Sequence, residues 1–101
     1  MRDKASPDRW RRRLALVATA PLNAKARGGT GDARRTLRIC RLLLEDRDDM
    51  VVKAMSWALR ELGKRDRKSV RTFITREARR VAPRVAREVR NKLRTGRKKA
   101  S

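Results

Sequence analysis

The chain of 101 residues reads as all-α, and three observations carry that reading. No window alternates apolar and polar residues in the manner of a strand. Apolar residues recur every three or four positions from Trp10 to Leu93. Caps and breakers (Ser6-Pro7-Asp8, Pro21, the Gly28-Gly29-Thr30-Gly31 run, Asp48-Asp49, Ala82-Pro83 and Thr95-Gly96) divide the chain into about five helical segments.

The segment Asp49 to Lys64 is the clearest. With about 100° of turn per residue, Val51, Val52, Met55, Ala58, Leu59 and Leu62 form one apolar stripe. Lys53, Trp57, Arg60 and Lys64 line up on the other side. Asp48 and Asp49 supply an N-cap and a first-turn acid, and Gly63-Lys64-Arg65 a C-terminal stop. An indole turned away from its own helix's core needs a cover. A neighbouring helix is one candidate and a ligand the other: bases and cations suit the ring face, and phosphates suit the flanking cations.

The first helix is expected over Pro7 to Thr19, with Ser6 as N-cap. Trp10, Leu14, Val17 and Ala18 share its inward face, and Leu16 lies opposite, beside Arg9 and Arg12. Apolar residues on both sides suggest cover on both sides, hence a further layer on this flank. Residues 24–31 form a loop whose glycines lack the preceding strand and following Lys-Ser/Thr of a phosphate cradle. Asp32 caps a second helix, Ala33 to Glu45, with Leu37, Cys40, Leu43 and Leu44 inward and Arg34, Arg38 and Arg41 outward. A short linker then places the Trp57 helix antiparallel beside it. Asp66 caps a fourth helix, Arg67 to Thr75, with Val70, Phe73 and Ile74 inward. A fifth runs from Pro83 to near Arg94 on Val85, Val89 and Leu93. Residues 1–96 thus form one helical unit and 97–101 a basic tail.

The formal net charge of +20 favours a polyanion as partner, most simply nucleic acid. An anionic membrane would need a bulky apolar face free to insert, and these faces are needed for packing. A single cysteine and no histidine exclude an internal disulfide, the usual zinc sites and His-dependent nucleophilic catalysis, so no metal or cofactor is expected. Cys40 reads as a small reduced core residue, and no signal or spanning segment is visible; the expected location is the cytoplasm. The acids Glu45, Asp46, Asp48 and Asp49 are explained by capping and linker chemistry rather than as a paired-carboxylate site. Trp10-x-x-Arg13 echoes Trp57-x-x-Arg60 47 residues on, and helix pairs repeating at about 40–47 residues mark HEAT-type solenoids.

Asp48-Asp49-Met50-Val51-Val52-Lys53-Ala54-Met55-Ser56-Trp57-Ala58-Leu59-Arg60-Glu61-Leu62 closely resembles the C-terminal signature of DNA alkylation repair proteins, the AlkD-like DNA glycosylases. Trp10-Arg11-Arg12-Arg13-Leu14-Ala15-Leu16-Val17 is similar to the family's earlier Trp-x-Arg-Arg helix. Arg87-Glu88-Val89-Arg90-Asn91-Lys92-Leu93-Arg94-Thr95-Gly96 is similar to the ending of one of its branches. The resemblance implies a curved stack of HEAT-like helix pairs with a basic concave face for duplex DNA. It implies hydrolysis of the N-glycosidic bond of N3- or N7-alkylated purines without flipping the lesion into a pocket, and no obligate protein partner.

On that resemblance Trp57 faces the damaged nucleotide and Arg60 holds phosphate. Arg12 is the contact from the first helix, with Arg13 as its rival. Lys53 and Lys64 are added from the helical row alone. In the family a catalytic aspartate and another DNA-facing tryptophan precede the Trp-x-Arg-Arg helix, whereas here Met1 lies just before Trp10. Asp3 and Asp8 match no family motif. The chain is therefore expected to be the C-terminal half of such a protein, with no catalytic residue of its own. Three functions stay open: a repair-glycosylase fragment, a non-catalytic helical nucleic-acid-binding module, and a scaffold with incidental charge.

Overall fold

A computed structural model describes residues 8–19 and 33–95. The described residues form five helices and no strand: α1 (Arg9–Val17), α2 (Ala33–Leu42), α3 (Asp49–Arg65), α4 (Arg67–Glu77) and α5 (Pro83–Thr95). The Ser6 and Asp32 caps, the glycine loop and the basic tail fall outside these residues.

The fold is organised by α3, which touches each of the other four helices. Its two largest partners are α1 and α5, one on each flank, so α1, α3 and α5 form one layer. Behind it lie α2, against α1 and α3, and α4, against α3 and α5. Flanked on both sides, α3 buries more than the expected stripe. Ala54 and Ser56 join Val51, Val52, Met55, Ala58, Leu59 and Leu62. The other expected core positions, including Leu37, Cys40, Val70, Phe73, Val85 and Val89, are also buried.

Capping sets the helix starts. Asp48 accepts from the Met50 amide at the head of α3. Asp66 links α3 to α4: its amide donates to Leu62 O at 2.7 Å, and its carboxylate accepts from the Ser69 amide and hydroxyl. The helix therefore runs past Gly63, the expected stop, because Asp66 does the terminating. A Cβ on Gly63 would meet only Leu93 Cδ2, at 3.5 Å. At the other limits, α2 ends at Leu42 rather than Glu45, and α4 reaches Glu77 rather than Thr75.

One expectation is reversed. Leu16 is fully buried, while Trp10 and Leu14, placed inward from the pattern, are 63% and 60% exposed. The rotation of α1 follows from its ion pairs to the α2–α3 linker. Arg9 Nε lies 3.2 Å from Asp48 and Arg12 Nε 2.8 Å from Asp46. Leu16 stands one turn beyond Arg12, so it enters the core with them. The N-cap is Asp8, which accepts from the amides of Trp10 and Arg11.

Candidate nucleic-acid interface

Between α1 and α3 lies an open groove of about 410 Å³ lined by Arg13, Val17, Met50, Lys53, Ala54 and Trp57. Trp57 is half-buried: it projects from α3 beside the core stripe and is not absorbed into it. Lys53, one turn before it, is exposed and lies 3.4 Å from Asp49. Such a solvent-exposed pair is worth at most about 1 kcal/mol, so its ammonium is easily drawn to another anion. Arg13 is exposed and closes the groove from α1. Indole, ammonium and guanidinium thus converge on one space.

The remaining candidates lie elsewhere. The side chains of Arg12 and Asp46 are both nearly buried around their 2.8 Å bond, away from the groove lining. Lys64 reaches Glu61 at 2.9 Å on the last turn of α3. Arg60 is half-buried, and its Nε donates to Ser56 Oγ at 3.2 Å.

Arg60 belongs to a network that the sequence reading missed. Ser56 Oγ donates to Glu88 Oε1 at 2.6 Å, and Arg84 Nε donates to Glu88 Oε2 at 3.1 Å. Arg84 Nη1 also lies 3.6 Å from Asp49. The network ties α3 to α5 through a carboxylate that is 7% exposed. Burial pushes the Glu88 carboxyl up, but the hydrogen bonds from Ser56 and Arg84 and the charges of Arg84 and Arg60 outweigh it, and the net shift is downward. Burial is also the main reason the Arg60 guanidinium lies below its ordinary value, against the pull of Glu88 and Glu61 and with the push of Arg84. A signal was present in the sequence: Glu88 falls between the core positions Val85 and Val89 on an otherwise basic helix, with Arg84 one turn before it.

The arrangement can bind an anion and stack a flat, electron-poor ring. No carboxylate lines the groove. The described residues contain no cluster of side chains suited to a metal, and none of their helices is long and apolar enough to cross a membrane. Cys40 is fully buried and its thiol is pushed up to about 12, which makes it a packing residue and not a nucleophile.

Five helices among the described residues, with a tryptophan set among cations, define a basic, all-α protein. The family model described as DNA alkylation repair enzyme matches residues 4–93, and the chain belongs to that family. Its role is accordingly in DNA alkylation repair, which points to DNA as the partner. No curated protein and no solved structure matches the chain.

Proposed function

We propose that the chain binds duplex DNA carrying N3- or N7-alkylated purines on a basic face, in the HEAT-like, non-base-flipping manner of the alkylation-repair glycosylases. The observation that carries this reading is the groove where Trp57 stands half-exposed between Arg13 and Lys53. An alkylated purine bears positive charge, and an indole face attracts such a ring while the cations take the adjoining phosphates. Arg13 is the α1 contact, since Asp46 holds Arg12. Arg60 and Lys64 extend the row along α3 to further phosphates.

The groove's chemistry favours recognition over cleavage. Glycosidic cleavage builds positive charge on the sugar, and a nearby carboxylate stabilises it or directs water. Among the described residues every carboxylate is taken up by a cap or an ion pair, and none faces the groove. The described residues on this reading form a lesion-binding module.

Binding to duplexes with and without an alkylated or abasic site tests this reading, together with an assay for released alkylpurine. Trp57→Ala should weaken lesion binding about 5- to 150-fold, as expected for one lost stacking contact of about 1–3 kcal/mol. Arg60→Ala should weaken it as well, with the helical spectrum of both variants intact. Equal binding by both variants and wild type would remove the row as a DNA face. Rapid release of alkylpurine by the isolated chain would overturn the recognition-only reading.

A further inference from the structure

We propose that the α4–α5 end of the stack carries a second binding surface for a duplex phosphate backbone, separate from the Trp57 groove. It is built by Arg67, Arg71, Arg79, Arg87, Arg90 and Arg94. Two open grooves meet there, of about 290 and 660 Å³, and both are lined by Arg90 and Arg94. The first adds Arg67 and Arg71 from α4, and the second adds Arg79 and Arg87. All six side chains are exposed. Neither groove is lined by an Asp or Glu, and neither shares a residue with the Trp57 groove.

What distinguishes this surface within a generally basic protein is that two adjoining grooves, both free of Asp and Glu, gather six arginines, while the acids engage other cations. The ion-paired carboxylates Asp46, Asp48, Asp49, Glu45, Glu61, Glu77 and Glu88 serve Arg9, Arg12, Lys53, Lys64, Arg80 and Arg84. Asp8 and Asp66 cap helices. Among the described residues none of the six arginines has a carboxylate partner; Arg94 bonds the neutral amide oxygen of Asn91, at 2.8 Å. Cations without a carboxylate partner are screened by solvent counterions, and release of such ions drives backbone binding.

The spacing fits a strand. Arg87, Arg90 and Arg94 stand at i, i+3 and i+7 on the outer face of α5, opposite the Glu88 side that meets α3. They cover about 10.5 Å of helix at 1.5 Å per residue. One strand of a duplex presents about three phosphates over that length, at about 3.4 Å each.

The test is a salt titration of the full chain with an undamaged duplex of about 25 base pairs, roughly 85 Å at 3.4 Å per step and longer than the 36 Å axis of the structure. Arg87→Ala/Arg90→Ala/Arg94→Ala should reduce the slope of log K against log salt by about 2.7, about 0.9 for each lost phosphate contact. Its preference for an alkylated over an undamaged duplex should stay at the wild-type ratio. A control of equal charge change on other exposed arginines, Arg34→Ala/Arg38→Ala/Arg76→Ala, should move the slope by less than about 1. An unchanged slope in the first variant, or an equal fall in the control, overturns the proposal. Failure of the Trp57 reading would appear in the lesion ratio, a separate readout.

Discussion

Replacing Glu88 with Gln tests whether the α3–α5 contact depends on its carboxylate. The substitution keeps shape and one acceptor oxygen and removes the charge. Two charge-assisted hydrogen bonds end on this group, from Ser56 at 2.6 Å and Arg84 at 3.1 Å. Each bond to a charged group is worth about 1.5–3 kcal/mol. Arg84 is about one-third exposed, so solvent screens its share. Gln retains part of the Ser56 bond but leaves Arg60 and Arg84 facing one another without an anion. The expected cost is about 2 kcal/mol, or about 8–16 °C in Tm for a domain of this size.

Circular dichroism melts measure that cost directly. The folded Glu88 carboxyl lies below its ordinary 4.5, so its contribution is complete above that value and is lost as pH falls through the lower, folded one. Wild type and Glu88→Gln should therefore differ at neutral pH and converge in acid. A variant that melts within about 2 °C of wild type at neutral pH refutes the reasoning. So does a gap that persists unchanged where the carboxyl is protonated.

Gly63→Ala should stabilise the protein by about 0.5–1 kcal/mol, because Gly63 is inside α3 and the added Cβ meets Leu93 at an ordinary 3.5 Å; a fall in Tm would show the contact to be tighter. Arg12→Ala should cost about 2–3 kcal/mol by leaving Asp46 unpaired at a nearly buried site. Arg13→Ala should leave the urea midpoint unchanged and weaken DNA binding with a salt slope about 0.9 smaller, so the two neighbours separate by assay. Cys40 should resist thiol reagents in the native state and react only on unfolding, at a rate that follows urea concentration.

Much of the fold was legible because helical periodicity is local. The α3 stripe, the Asp48 and Asp66 caps and the Pro83 start all depend on residues within a turn or two of one another. The rotation of α1 was not legible. Trp10 and Leu14 outweigh Leu16 in apolar area, and only the distant partners Asp46 and Asp48 turn Leu16 inward. Gly63 was misread for a related reason: a glycine near a helix end looks like a stop until the next residue able to accept the chain, Asp66, is seen in place. Spacing put Lys53 and Trp57 side by side, and both line the groove, whereas Arg60 and Lys64 of the same row turn to Ser56 and Glu61. Which acid engages each cation depended on packing between helices, and so Ser56, Arg84 and Glu88 went unremarked.

The position of α3, in contact with every other helix, has a bearing on how the chain comes apart. Long solenoids shed repeats from their ends, since each repeat leans only on its neighbours. Here no helix can detach without baring part of one central rod, and that rod cannot leave without dissolving both layers. Amide exchange in the middle of α3, around Met55 to Leu59, should accordingly require global unfolding, and its slowest protons should report the stability of the entire assembly.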